Sequence, residues 1–214
     1  YLYTVGFLRY LEGTGAIHPG DAVALAGDYR PSSPRIMAAA TAAIVELGYR
    51  PVNCGSIPSP AVASYALGEG IASLMVTGSH IPDDRNGIKF NTPEGEVLKA
   101  DEAGIRGQLV SNPPGLFDGQ GRFVSSPELP PEDRTAYRRY LARYLDCFPA
   151  RCLAGCRVLV YEHSTVAATA ITEIFRGLGA DVVCRGHSDS FVPVDTEAVR
   201  PEDIALARAW AESG

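Results

Sequence analysis

The sequence predicts an α/β protein in which a mixed, largely parallel sheet is sandwiched between helices, followed by the beginning of a similar second α/β unit. Short apolar runs typical of strands alternate with segments whose apolar residues recur at helical spacing. The runs at 22–27 and 71–76 are strongly apolar, as expected of strands that are buried on both faces. Strands that alternate with helices imply crossover connections and a sheet covered on both faces.

The first unit is expected to span residues 1–148. Its predicted elements are, in chain order, a helix at 1–11, a strand at 22–27, a helix ending at 47–48, a strand at 51–54, a helix at 61–67, a strand at 71–76 and a returning strand from 88. Ser33 is the predicted N-cap of the second helix, because Pro34 suits the first helical position. Residues 111–131 are rich in Pro, Gly and Ser and predict a long surface connection before a helix at 131–148.

The second unit is expected to span residues 149–214 and to be incomplete. After a shift in composition at 149–155, a strand is predicted at 157–161, a helix at 165–178, a strand at 181–184 and the start of a helix at 201–211. Gly179 suits the position at the end of the predicted helix 165–178, because glycine readily adopts the left-handed backbone conformation found at helix ends.

The composition narrows the class of protein. Hydrophobic residues at 46% and charged residues at 21% are typical of a globular protein. The formal net charge of −6 argues against a nucleic-acid partner, and no block of Lys and Arg contradicts this. No apolar run of about 18 residues predicts a membrane span and the chain shows no leader pattern, so we expect a cytoplasmic protein without a membrane partner.

The cysteines and two of the histidines are expected to have no catalytic role. The spacing of Cys147, Cys152 and Cys156 does not match the usual paired-cysteine zinc pattern. All five cysteines of the chain are therefore interpreted as reduced, mostly buried thiols. His163 and His187 fall outside every motif and are expected to be loop histidines.

The segment from residue 76 to residue 90 is the main candidate for a functional site. It places the Ser79 hydroxyl, the His80 imidazole and the Lys89 ammonium between an apolar strand and a returning strand. Reactive groups are often presented on loops of a rigid scaffold. Asn86-Gly87 is a strong turn signal. An ordinary polar loop closed by a hairpin turn is the alternative interpretation.

Two short runs resemble the phosphoserine loop of the α-D-phosphohexomutases. They are Thr77-Gly78-Ser79-His80-Ile81-Pro82 and Asn86-Gly87-Ile88-Lys89, where the family pattern is usually Thr-Ala-Ser-His-Asn-Pro and Asn-Gly-x-Lys. Gly78 in place of Ala is expected to be a mild change, whereas Ile81 in place of Asn removes a polar side chain. Weaker matches, such as Asp28-x-Arg30-x-Ser32 and Pro58-Ser59-Pro60, extend the resemblance over essentially the whole chain.

The resemblance implies a role for each residue of the loop. Ser79 would carry the phosphoryl group, Lys89 would act as acid and base, and His80 would position the reacting groups. Arg30, Arg85 and Asn86 would lie near the phosphate or substrate. For Arg30, a structural ion pair with Asp28 is the alternative.

The resemblance also implies cofactors and missing parts. Mg²⁺ would contact the phosphoryl group on Ser79, and its other ligands would come from an Asp-x-Asp-x-Asp-Arg loop expected just past Gly214. Glucose or mannose 1,6-bisphosphate would act as the activator. The remaining domains of the parent chain would be partners, and this chain alone is expected to be inactive.

The implied reaction is the interconversion of hexose 1-phosphate and hexose 6-phosphate, with mannose and/or glucose as the sugar. A phosphoglucosamine mutase is the related alternative. A hydrolase using Ser79 and His80 is a different class, but the Gly-x-Ser-x-Gly elbow that many such enzymes carry is missing here. A noncatalytic sugar-phosphate binder is a third class.

Overall fold

The structure, a computed structural model, describes residues 1–78, 81, 84–125, 127–188, 191–192 and 199–212. Its helices are α1 Leu2–Gly13, α2 Ser33–Glu46, α3 Ser59–Glu69, α4 Lys99–Arg106, α5 Thr135–Cys147, α6 Ala168–Gly177 and α7 Pro201–Glu212. Its strands are β1 Ala22–Gly27, β2 Arg50–Ser56, β3 Ala72–Val76, β4 Ile88–Thr92, β5 Gly95–Glu96, β6 Arg157–His163 and β7 Asp181–His187.

Most of the chain folds around one sheet, here called the larger sheet. Within the described residues its strand order is β2-β1-β3-β4-β5. β1 pairs in parallel with both β2 and β3, whereas β4 runs antiparallel to β3. The predicted mixed, largely parallel sheet is therefore confirmed.

Helices cover both faces of the larger sheet, because β1 and β3 are apolar on both sides. All side chains of these two strands are buried. On one face, α1 and α2 pack through a cluster that includes Phe7, Leu25, Ile44 and Leu74. On the other face, α3 and α5 pack through a cluster that includes Ala24, Val62, Met75 and Tyr137.

Two local features differ from the sequence prediction. α4 was not predicted. None of its residues is fully buried, although Ile105 packs against the core of the larger sheet. The start of α4 is held by Asp101, which accepts hydrogen bonds from the Leu98 amide at 2.7 Å and the Tyr10 hydroxyl at 2.7 Å. α2 begins at Ser33, one residue before the predicted position, because the Ser33 hydroxyl donates to Asp28 instead of capping the helix.

The second sheet, here called the smaller sheet, is formed by β6 and β7 in parallel. Its core cluster of buried residues consists of Val160, Ala180 and Val182. His163 and His187 are the last residues of these two strands and lie opposite each other, so the prediction of loop histidines was wrong.

The cysteines also correct an expectation. All five are free thiols, but Cys147, Cys152 and Cys156 are exposed, so the prediction of mostly buried thiols was wrong. They lie at the end of α5 and in the turns before β6. Cys54 is buried in β2, and burial raises the pKa of its thiol to about 12.

Among the helices of the described residues, none combines the length and the apolar character that crossing a membrane requires.

Candidate active site

The candidate site lies at the carboxyl ends of the parallel strands of the larger sheet. The chain passes from β1 through α2 to β2, and then through α3 to β3, which lies on the other side of β1. After β1 the chain leads to β2 on one side, and after β3 it leads to β4 on the opposite side. The loops after these two neighbouring strands therefore leave in opposite directions. Ligands of open α/β sheets bind in the crevice at such a switch point.

The segment from residue 77 to residue 87, here called the serine loop, follows β3. The predicted catalytic residues Ser79 and His80 lie outside the described residues, as do Pro82 and Asp83. The two ends of the loop are described: the Thr77 amide donates to the Gly87 carbonyl at 3.0 Å, and the Ile81 amide donates to the Gly78 carbonyl at 2.9 Å. These bonds hold the backbone on either side of the two residues.

Asp28, directly after β1, collects donors from three segments. One carboxylate oxygen accepts hydrogen bonds from the Arg30 amide at 3.0 Å and from the Ser33 hydroxyl. The other accepts from the Gly78 amide at 3.4 Å and lies 3.4 Å from Nε of Arg30. A carboxylate that accepts hydrogen bonds from several segments joins those segments to one another.

Arg30 lies beneath the serine loop and its side chain is 2% exposed. Its guanidinium donates to the carbonyl of Arg85 at 2.9 Å and to the carbonyl of Ile81 at 2.8 Å. The ion pair with Asp28 that the sequence left as an alternative is present. The described contacts of Arg30 with this loop are thus to the loop's backbone.

Asn86 closes the other side of the loop. Its amide group donates to the hydroxyl oxygens of Ser32 at 3.0 Å and Ser33 at 2.9 Å, and its carbonyl oxygen accepts from the Gly87 amide at 2.9 Å. Because the Ser33 hydroxyl donates in turn to Asp28, the network runs without a break from Asn86 to Arg30. The side chain of Arg85, in contrast, is 72% exposed, beside Asp84 at 3.9 Å.

Lys89 lies on β4, with its Cα opposite Met75 of β3. Its side chain is exposed and borders a cavity of about 860 Å³ between β4 and the surrounding helices. Met75 borders both this cavity and the smaller pocket beside Thr77. The structure therefore places Lys89 on the strand that follows the serine loop, next to the strand that precedes it.

A pocket of about 240 Å³ separates the serine loop from the smaller sheet. Asp28, Tyr29, Pro58, Ser59, Met75 and Thr77 line one side, while residues 163–167, 191 and 192 line the other. The strand ends of both sheets therefore face the same pocket. A ligand bound here would contact both parts of the chain.

His163 contributes to this pocket and has a strained backbone, with φ of 30°. Its Nδ1 atom is buried and has no hydrogen-bond partner among the described residues. Partial burial lowers the pKa of His163, while the nearby Asp203 carboxylate acts in the opposite direction. Sequence reasoning missed this residue because no motif contains it. Its position directly after the apolar run 157–161 was the available signal, because parallel strands end at ligand-binding edges.

The described residues do not fit a magnesium site by themselves. No group of three or more His, Cys, Asp or Glu side chains in the described ranges could hold a metal ion. The single ligand that the sequence suggested within this chain, the phosphoryl group on Ser79, belongs to a residue outside those ranges. Magnesium prefers several oxygen ligands in octahedral geometry, which this part of the chain does not assemble.

The fold and the site together define an α/β sandwich protein whose ligand-binding edge carries a polar loop. Residues 1–112 match the family model described as phosphoglucomutase/phosphomannomutase, alpha/beta/alpha domain I. The chain is 41% identical over 214 residues to a phosphomannomutase of Sinorhizobium fredii, which covers 99% of this chain. The chain therefore belongs to the phosphoglucomutase/phosphomannomutase family.

Further relatives and a solved structure agree with this assignment. A phosphoglucosamine mutase of Trichodesmium erythraeum is 30% identical over 182 residues, covering 82% of this chain and 34% of that protein. A solved phosphoglucomutase/phosphomannomutase family protein of Burkholderia thailandensis has the same fold, with a TM-score of 0.68 at 20% identity over 100% of this chain and 46% of its own. The chain spans 44% of the Sinorhizobium fredii protein.

Proposed function

We propose that this chain is part of a hexose-phosphate mutase that interconverts hexose 1-phosphate and hexose 6-phosphate, with mannose and/or glucose as the sugar. The observation that supports it best is the polar network of Asp28, Arg30 and Asn86, which closes the serine loop at the switch point of the sheet. A family member with this loop has the framework that a resident phosphoserine needs.

In this proposal Ser79 carries a phosphoryl group on Oγ. A hydroxyl oxygen of the hexose phosphate attacks the phosphorus atom, the bond between phosphorus and Oγ breaks, and a hexose 1,6-bisphosphate forms. After the intermediate turns around, Oγ takes the phosphoryl group from the other end of the sugar. Lys89 takes the proton of the attacking hydroxyl and later returns it, and His80 positions the reacting groups.

The remaining residues have supporting roles. Arg85 is exposed and provides a charge for the substrate phosphate, whereas Arg30 and Asn86 hold the loop from below. Mg²⁺ would neutralise charge on the transferring group, with its ligands outside this chain. Glucose or mannose 1,6-bisphosphate would load Ser79 when the enzyme is unphosphorylated.

We also propose that residues 1–148 form the first domain of the mutase and residues 149–214 part of the second, which lacks the metal loop. The relatives are more than twice as long as the matched region, which supports this division. The chain by itself is then expected to show no turnover of mannose 1-phosphate, even with a bisphosphate activator. Robust turnover by the chain alone would refute this part of the proposal.

Intact mass measurement tests the phosphoserine. The protein from the complete reading frame is incubated with glucose 1,6-bisphosphate and is expected to gain one stable phosphoryl group. Ser79→Ala should abolish the gain and the turnover, while the matched control Ser125→Ala, in the surface connection, should leave both unchanged. If the Ser79→Ala enzyme keeps full activity, the proposed mechanism is wrong.

Assays of the protein from the complete reading frame also distinguish the alternative functions. A Ser/His hydrolase would release inorganic phosphate from hexose phosphates, and a noncatalytic binder would retain the sugar phosphate unchanged. A phosphoglucosamine mutase, the class of the more distant Trichodesmium erythraeum relative, would turn over glucosamine 1-phosphate faster than mannose 1-phosphate. Phosphorus NMR of the products separates these outcomes in one series of spectra.

A further inference from the structure

Arg30 carries a buried charge, and its described partners lie in the serine loop or next to it. Its side chain is 2% exposed, and a charge is costly to bury unless it is paired and hydrogen-bonded. Asp28 supplies the opposite charge at 3.4 Å, and the carbonyls of Ile81 and Arg85 accept its N–H groups. The planar fork of the guanidinium thus binds two separate points of the loop.

Gly78 provides the space that this guanidinium occupies. A Cβ atom at position 78 would lie 2.3 Å from Cζ and 2.4 Å from Nε of Arg30. The guanidinium is held by partners on several sides, so it cannot move away without losing them. A methyl group at position 78 would therefore require the guanidinium to shift, so in this chain the position of the buried arginine depends on the glycine. The expectation that Gly in place of the usual Ala is a mild change stays a prediction.

Phe191 connects Arg30 to the smaller sheet. Cζ of Arg30 lies 4.6 Å from the centre of the Phe191 ring, which is within the range of a cation–π contact. The adjacent Val192 is tied to the loop after β6, because its amide donates to the Ser164 hydroxyl oxygen at 2.8 Å. One guanidinium therefore contacts both the serine loop and a segment anchored beside the second sheet.

We propose that Arg30 is a positioning residue, which holds the backbone around Ser79 in its reactive geometry and couples it to the segment 191–192. The proposal rests on the proposed function of Ser79 as the phosphoryl carrier. Arg30 acts through the loop and makes no contact with the substrate. The space at Gly78 and the ring of Phe191 are the two features that keep its guanidinium in place.

Arg30→Lys tests this proposal in the protein from the complete reading frame. Lysine keeps the charge but cannot bridge two carbonyls with a planar fork. We expect kcat to fall by about 100-fold, the effect of misplacing a reacting group by about 1 Å, while KM changes by less than about threefold. A rise in KM with unchanged kcat would overturn the proposal, because it would assign Arg30 to substrate binding.

Arg139→Lys is the matched control. Arg139 also pairs with a carboxylate, Glu69, and also lies over an aromatic ring, that of Tyr65 at 5.4 Å. It belongs to α5, however, and neither of these contacts is with a described residue of the serine loop. Its substitution is expected to leave kcat and KM unchanged. An equal loss of kcat in both variants would show that the effect is a general loss of stability, and the proposal would fail.

Two further variants keep the test valid if Arg30→Lys folds poorly. Gly78→Ala should lower kcat to a similar extent, because the added methyl group displaces the guanidinium. Phe191→Leu keeps the apolar volume and should lower kcat by only about two- to tenfold. Unchanged kcat in Gly78→Ala would overturn the proposal.

Hydrogen exchange provides a readout that does not depend on catalysis. The amides of Thr77 and Ile81 are hydrogen-bonded within the loop and should exchange at least about tenfold faster in Arg30→Lys than in Arg139→Lys. If Ser79→Ala keeps its activity while these amides exchange faster, the proposed function fails and the positioning role stands. If exchange and kcat are both unchanged in Arg30→Lys, the positioning role fails.

Discussion

The two sheets that the structure describes differ in how many of their residues are buried. In the larger sheet, every residue of β1 and β3 is buried, and helices cover both faces. In the smaller sheet, β6 buries only Val160 and β7 only Val182. The first sheet is therefore a rigid base for its loops, whereas the second depends on neighbouring parts of the chain.

Residues next to both sheets contribute to the candidate site. The serine loop is fixed to the larger sheet by Asp28 and Arg30, which bind its backbone from below. The opposite wall of the pocket is formed by His163 and residues 191–192, which the smaller sheet carries.

Truncation of the larger core should have the largest effect on stability. Leu25 lies on the interior strand β1 and is fully buried, so Leu25→Ala should lower the free energy of unfolding by about 2–5 kcal/mol. Urea denaturation followed by circular dichroism measures this. The control Leu67→Ala, at an exposed position of α3, should change it by less than about 0.5 kcal/mol. Similar losses in the two variants would contradict the assignment of the core.

Overpacking the interface between α6 and the larger sheet should have an intermediate effect on stability. Ala170 of α6 is buried in the cluster that α3 and α5 form on the larger sheet, so Ala170→Leu should cost about 1–3 kcal/mol. Thermal unfolding of this variant is compared with that of Thr169→Leu, whose position on the same helix is exposed. Equal midpoints would show that α6 does not dock firmly on the larger sheet.

Truncation of the smaller core should cost less and remain local. Val160→Ala removes two methyl groups from a nearly buried site, which corresponds to about 1.5 kcal/mol. Hydrogen exchange should show faster exchange for amides of β6 and β7, with those of β1 unaffected. Faster exchange throughout both sheets would mean that they unfold as one cooperative unit, and the contrast between them would disappear.

The smallest expected effect is the pH dependence contributed by His163. Because burial lowers its pKa in the fold, the unfolded chain binds the proton more readily, and stability should decrease as the pH falls below about 6.5. His163→Asn, which also tolerates the positive φ, should reduce this decrease between pH 7.5 and about 5.5. Urea unfolding at several pH values checks it, with His18→Asn, at an exposed turn, as the control. An unchanged pH profile would contradict the role of burial.

The main strands of the larger sheet were predictable because a strand that is buried on both faces consists mostly of apolar residues. β1 is a continuous apolar run, and β3 is an apolar run interrupted by Ser73 alone. α4 and β5 have no such run, since no residue of α4 is fully buried and β5 has two residues. The chemistry of the serine loop was predictable from a short motif, because its residue types and their spacing are local. The contribution of His163 to the pocket wall was not predicted, because no motif contains this residue and its place after the apolar run 157–161 was the only signal.

The sequence by itself determined the α/β class, the order of most strands and helices, and the loop in which Ser79 lies, because these depend on apolar periodicity and on neighbouring residues. Only the tertiary structure decided that Arg30 lies under that loop, 51 positions from the Ile81 carbonyl that it binds, and that Phe191 stacks beside it. Contacts between residues so far apart in the chain arise from the packing of whole sheets, which no short segment of sequence encodes.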